Sequence, residues 1–198
     1  MSPFKHSAKE KDDIRARILA TAWQMVKDEG WQSLSIRKIA GAVDYSIPVI
    51  YDHFENKEAI VFEFARQGFH MLTKAVQKEI DKQTDPVEKL KSVADAYWKF
   101  ALKHKEHYQL MMGMGMAGCE IEKCFPERTD FRFMVMAPIN ELIAKSPNPE
   151  ANPYLKYFTF WSILHGLISI RNLNSNVSDE VNKMVMDDAV AGFIKNLG

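Results

Sequence analysis

Three groups of residues in this chain are of types that do chemistry. Cys119, Glu120, Glu122 and Cys124 share one short stretch, with His104 and His107 upstream, and thiolate, imidazole and carboxylate are the ligands of zinc. The four-residue gap between the cysteines fits such a site, but no second ligand pair follows at a matching spacing, so no metal is expected. A redox role for the pair has no activating neighbour to support it. The second group is Trp161 and His165, four apart and therefore on one helix face. They can line a pocket, with the imidazole as a hydrogen-bond donor, and a satisfied core or interface histidine fits the same spacing. The third group, Ile47, Pro48, Val49 and Tyr51, is mostly apolar yet falls on the outer side of a short helix pattern. Such a face meets a partner. The chain contains no G-x-S-x-G, no H-E-x-x-H and no glycine-rich phosphate loop, so neither an enzyme nor a cofactor is expected.

The elements that position the third group lie between Ser33 and Glu58, S-L-S-I-R-K-I-A-G-A-V-D-Y-S-I-P-V-I-Y-D-H-F-E-N-K-E. Ser35 caps a helix whose inward residues are Ile36, Ile39, Ala40 and Val43. Asp44 ends it, being one of the few residues besides Gly that tolerates a left-handed backbone. Ser46 starts a second helix with Pro48 in its first turn, where a missing N–H costs nothing. Ile50 and Phe54 point back to the first helix. Two helices joined by a tight turn, the second with a free outer face, form a helix-turn-helix, whose second helix can enter the major groove of DNA.

The run I-A-x-x-V-D-Y-S-I-P-V-I-Y-D-H-F-E-N-K-E-A-I, down to its Y-x-x-F-x-N-K-E exit, resembles the DNA-binding domain of the TetR family of bacterial transcriptional regulators, over about Ile14 to Ile60. The resemblance implies a recognition helix from Ser46 to about His53, with Ile47, Pro48 and Val49 against base edges and Tyr51 and His53 near phosphates. Lys57, at the start of the next helix and behind the Asn56 cap, would complete the clamp. The expected DNA-binding set is therefore Ser35, Arg37, Ser46, Ile47, Pro48, Val49, Tyr51, His53 and Lys57. Two positions depart from the family pattern. Lys38 stands where a carboxylate often closes a capping box on Ser35, and Asp44 stands where Gly is common, which implies a slightly less stable turn. Ile47, Pro48 and Val49 offer no side-chain hydrogen bonds, so base reading there rests on apolar contact with thymine methyls.

Charge gives DNA binding little help. The 198 residues carry a formal net charge of zero, and residues 1–57 hold nine Lys or Arg against eight Asp or Glu. Phosphate contacts are thus expected from a few placed groups, with a modest salt dependence of roughly −0.9 in log–log slope per phosphate neutralised. The two cysteines make no disulfide framework, the N-terminus has no apolar signal segment, and the most apolar run, Tyr157 to Ile170, is shorter than a membrane span. A soluble, cytoplasmic protein is expected.

An all-α fold of about nine helices follows from the periodicity, with a helix-turn-helix domain over residues 1–55 and a ligand-binding and dimerisation domain over residues 56–198. The first helix runs from Ala8 to Glu29 and supports the helix-turn-helix; a connector helix runs from Asn56 to about Lys82. Gly68 sits in its middle and suits close packing or a bend. Asp85 and Pro86 open a further helix with Leu90, Val93, Ala94, Tyr97, Ala101 and His104 inward; a short helix covers Glu106 to Met112, and M-M-G-M-G-M-A-G reads as a flexible turn. The remaining helices span Pro126 to Lys145, Pro153 to Leu173 and Ser178 to Leu197.

F-W-S-I-L-H-G-L, with A-Y-W-K-F-A-L-K-H-K-E-H-Y-Q-L-M, resembles a TetR subgroup with a W-x-x-x-H-G signature in its ligand-binding domain. Met and aromatic residues are abundant in this half, which suits a plastic apolar cavity as well as an ordinary core. The expected ligand-binding set is Tyr97, Trp98, Met112, Met134, Trp161 and His165. Ser162, Gly166 and Ser169 recur at four and three and let another helix approach; the family resemblance implies a homodimer through the last two helices. The expected protein is a ligand-responsive, homodimeric regulator of double-stranded DNA, a repressor released from a palindromic operator by a small, largely apolar effector. The alternative is a DNA-bound module whose second half meets a protein partner.

Overall fold

The computed structural model describes residues 8–113, 126–173 and 177–197. Among the described residues there are nine α-helices, one 3-10 turn and no strand. The helices are α1 (Ala8–Glu29), α2 (Ile36–Val43), α3 (Ile47–Tyr51), α4 (Lys57–Ile80), α5 (Pro86–Lys103), α6 (Lys105–Gly113), α7 (Pro126–Ala144), α8 (Pro153–Leu173) and α9 (Asp179–Lys195), and the 3-10 turn is Trp31–Ser33. The expected all-α class is what the chain adopts. Most of the glycine-rich segment, from Met114 on, and both cysteines lie outside the described residues.

The chain divides into two compact units. The first takes residues up to 68 together with 106–113, so it runs past residue 55 into α4 and gathers in α6. Its core is Ile14, Ile18, Ala22 and Val26 of α1, Ile39, Ala40 and Val43 of α2, Ile50 and Phe54 at α3, Ile60, Val61 and Phe64 of α4, and Leu110 of α6. Fully burying a residue such as Ile18 or Phe64 is worth about 1.5–3 kcal/mol, which is what holds helices as short as α2 and α3 in place. Gly30 stops α1 at φ 81°, a conformation that costs a Cβ-bearing residue heavily. Ser35 caps α2, its hydroxyl accepting from the Lys38 N–H at 3.2 Å, and Asp44 closes that helix in the left-handed region at φ 58°, ψ 43°. The Lys38 ammonium reaches Glu29 at 2.8 Å and holds that carboxyl below its usual range, through hydrogen bond and charge together. This pair is exposed and adds little to stability.

Gly68 resolves in favour of close packing. A Cβ there would lie 2.5 Å from Met111 Sδ, 2.9 Å from Met111 Cγ and 3.3 Å from His107 Cβ, so the Met111 side chain of α6 occupies the space that the missing Cβ leaves on α4. Trp23 fills the neighbouring space, its ring 5.0 Å from Phe64 and 4.0 Å from His107.

The second unit is formed by residues 69–105 and by α7, α8 and α9. α5 packs against all three of the last helices. It is buried round most of its circumference, by Leu90, Val93, Ala94, Ala96, Tyr97, Trp98, Phe100 and Ala101. Asp85 caps it by accepting from the Glu88 N–H at 3.1 Å. His104, expected on its inner face, instead forms the C-cap and is half-buried beside Phe100, because the helix stops at Lys103. α8 and α9 are joined by Phe160 against Phe193 at 5.0 Å and by Arg171 to Asp179 at 2.8 Å; Lys183 ties α9 to Asp95 of α5 at 2.9 Å.

Candidate functional site

The short helix α3 carries the candidate site of the first unit. Ser46 is its N-cap, without a side-chain capping bond, and proline stands in its first turn. The helix ends at Tyr51, earlier than expected: Asp52 and His53 form a turn whose N–H groups return to Pro48 and Ile50, which brings Phe54 into the core. Ile50 is fully buried, so the opposite face is left outward, with Ile47 38% exposed, Tyr51 52% exposed and Pro48 exposed. Val49 and His53 are half-buried. An apolar residue and a tyrosine that exposed, on a helix whose other side is anchored, need a partner.

Around α3 the cations are mostly committed. Lys57 Nζ donates to the Gln32 carbonyl at 3.2 Å and lies 5.8 Å from the Trp31 ring centre, so two of its three donors stay free. Asn56 caps α4 by accepting from the Ala59 N–H at 2.8 Å. Arg15 pairs with Glu63 at 2.7 Å and stacks over Phe54 at 4.8 Å. Arg37 of α2 is exposed. Ser35 is half-buried, with its hydroxyl engaged in the cap. The structure thus brings Ser46, Ile47, Pro48, Tyr51, Arg37 and Lys57 onto one small helical unit with polar groups to spare.

The second unit has an open groove of about 460 Å³ between α4, α5 and α7. Thr73, Gln77 and Ile80 line it from α4, Lys89 from α5, and Asp130, Phe133, Met134, Ala137, Pro138 and Glu141 from α7. Its lining mixes apolar side chains with the charged Lys89, Asp130 and Glu141. Thr73 Oγ1 is buried and has no hydrogen-bond partner, and Pro138, inside α7, has no N–H for the carbonyl one turn before it. Lys145 pairs with Glu141 at 2.8 Å and holds that carboxyl below its usual range, chiefly by hydrogen bond.

Of the six residues expected to bind a ligand, Met134 lines this groove. Tyr97 and Trp98 are buried in the α5 core, and Met112 stands half-buried on α6 in the first unit. Trp161 and His165 are half-buried on α8 with their rings stacked at 5.3 Å, and the Arg128 guanidinium lies over the indole at 5.1 Å. Burial pushes the His165 imidazole below its ordinary pKa. Sequence reading missed the α4 side of the groove, although Thr73, Gln77 and Ile80 recur at helical spacing, and it missed Pro138, the one imino acid inside a long helix pattern. Ser162 is exposed, Gly166 and Ser169 half-buried, and a Cβ at Gly166 would meet nothing within 4 Å of its own chain. Among the described residues no group of three or more metal-ligating side chains converges. Nor is any described helix long and apolar enough to cross a membrane.

Residues 18–64 match the bacterial regulatory proteins of the tetR family, and residues 90–179 match the tetracyclin repressor-like C-terminal domain. The chain belongs to the TetR family. Members of that family are bacterial regulatory proteins. The HTH-type transcriptional activator FasR of Mycolicibacterium smegmatis is 24% identical over 101 residues, 51% of this chain and 46% of FasR. The transcriptional repressor KstR2 of the same species is 31% identical over 98 residues, 50% of this chain and 47% of KstR2. The chain spans about half the length of the curated relatives it matches. The solved structure of the regulator FadR from Bacillus subtilis in complex with stearoyl-CoA superposes with a TM-score of 0.71 over 89% of this chain and 98% of that one, at 15% identity. That likeness is one of fold.

Proposed function

We propose that this TetR-family protein is a homodimeric, ligand-responsive repressor, released from a palindromic operator when a small, largely apolar molecule enters the second unit. The observation that carries the reading is the outward face of α3, where Ile47 and Tyr51 stay exposed on a helix whose other side is locked by Ile50. Apolar side chains at the tip meet thymine methyls, while Tyr51 and Lys57 hold phosphates. One such helix reads only a few base pairs, and a two-fold pair reads two half-sites roughly 34 Å apart.

Dimerisation through α8 and α9 is supported by the apolar residues those helices leave exposed, Ile170, Leu173, Val181, Met184 and Val185, and by the open space at Gly166. The open groove, lined mainly by apolar surface with a few charged side chains, supports a small-molecule effector over a protein partner. Release then works by population shift: the effector binds one dimer geometry better than the one that fits DNA, and only that difference in affinity weakens DNA binding.

The test is selection of genomic fragments by the purified protein, repeated across a salt series. Enrichment of a short palindrome supports a sequence-specific regulator, and the neighbouring genes nominate effectors whose addition should release the fragment. Absence of binding at low salt would sink the reading.

A further inference from the structure

Arg17 of α1 is a cation of the first unit whose described contact is with an aromatic ring and not with an acid. Two of its neighbours in charge are paired with acids, Arg15 with Glu63 and Lys38 with Glu29. Arg17 is exposed, and its guanidinium carbon lies 5.4 Å from the centre of the Tyr45 ring. Two acids are close in sequence to this pair, Asp13 one turn earlier on α1 and Asp44 beside Tyr45 in the turn. Among the described residues neither forms an ion pair with Arg17.

Tyr45 is itself well held. It is half-buried against the core of the unit, and its N–H donates to the Ala40 carbonyl at 3.0 Å. It stands directly ahead of Ser46, the N-cap of α3, and two residues before the exposed Ile47. A guanidinium resting on an aromatic face keeps its in-plane N–H donors free, and that edge has the fork geometry that fits a phosphate. The ring also limits the rotamers of a long side chain, so less entropy is lost when the donors are used.

We infer that Arg17 is a phosphate-binding residue of the DNA-binding surface and that Tyr45 is its positioning residue. The inference rests on the DNA-binding reading of α3. It answers the charge problem of this domain: where basic and acidic residues are nearly equal in number, affinity has to come from a few cations that are both unpaired and pre-oriented, and Arg17 meets both conditions.

Full-length protein and a fluorescently labelled duplex of mixed sequence are titrated across a salt series, with thermal melting of each variant alongside. Arg17→Gln should weaken binding about tenfold at low salt, the scale of a charged hydrogen bond, and make the log–log salt slope shallower by about 0.9 for each Arg17 in contact. Its melting temperature should stay that of the wild type. Arg17→Lys should keep the slope while losing affinity, because charge is retained without the stacked fork. Tyr45→Phe, which keeps the ring, should bind like the wild type. Tyr45→Leu should weaken binding in the Arg17 background and have no further effect beside Arg17→Gln. If Arg17→Gln keeps the wild-type affinity and slope, or lowers the melting temperature while leaving the slope unchanged, Arg17 is structural and the inference is overturned. A wild-type protein that fails to bind at low salt overturns the DNA-binding reading, and this one with it.

Discussion

The indole of Trp161 and the imidazole of His165 lie parallel on α8, 5° between planes and 5.3 Å between ring centres. One face of the imidazole is thereby shielded from water, and burial lowers its pKa. The unfolded chain then binds more protons than the folded one in the window that starts at the ordinary histidine value, about 6.5, and runs down through the folded value. Stability rises with pH across that window and is lost as pH falls through it. Melting temperatures measured at a series of pH values should show this slope in the wild type and a smaller one in His165→Gln; an unchanged slope would assign the acid sensitivity to other groups.

Gly68 provides a sign test for the packing of α4 on α6. In a helix, Gly→Ala alone gains about 1 kcal/mol, whereas overpacking costs about 1–3 kcal/mol. Since the new Cβ would fall on Met111 Sδ and Cγ, Gly68→Ala should be destabilising by about 1 kcal/mol in denaturant unfolding. With Met111→Ala already in place, the same substitution should become stabilising. Equal effects in both backgrounds would show that the two side chains do not meet.

Asp44 carries the left-handed turn between α2 and α3. Asp44→Gly should raise stability by about 0.5 kcal/mol, since relief of the strained φ exceeds the entropy that glycine adds to the unfolded chain. Ser35→Ala, which removes the α2 cap, should cost about 1 kcal/mol. Chemical denaturation of both variants measures these opposite signs.

Thr73, a residue of the groove wall, leaves its buried hydroxyl without a partner. Thr73→Val keeps the shape and removes that group, so the ligand-free protein should gain about 1 kcal/mol. Denaturant unfolding of the variant measures the gain; an unchanged stability would show that the hydroxyl carries no desolvation cost.

On DNA, Tyr51→Phe and Lys57→Ala should weaken all sequences alike, whereas Ile47→Ala should weaken mainly sites with thymine at the contacted position. Binding curves against a panel of single-base operator variants distinguish these patterns. A sequence-selective loss for Lys57→Ala would contradict its phosphate role.

Local chemistry made most of the helices legible in advance. Ser35, Asp85 and Ser178 cap because a hydroxyl or carboxylate next to free N–H groups is a local fact, and Gly30 and Asp44 stop helices because left-handed backbone is a property of the residue itself. The helix-turn-helix was readable for the same reason. Its inward residues, Ile39, Val43, Ile50 and Phe54, lie close in sequence and their spacing states their partner.

Partnership between distant segments was not readable that way. Periodicity marks which face of a helix turns inward but not which neighbour receives it, so α6 read as one more short helix of the second half. Tertiary packing instead sends Leu110 into the first core and His107 against Trp23. The groove has the same origin: Thr73, Lys89 and Pro138 stand on three helices, and only the packing of α4, α5 and α7 puts them around one space. By itself the sequence determined the elements, their caps and the outward face of α3, because each depends on neighbours within a few residues. The choice of helices that share a core, and the cavity left between them, was decided by side-chain volume across long separations, as at Gly68, where the absence of one carbon makes room for the Met111 side chain.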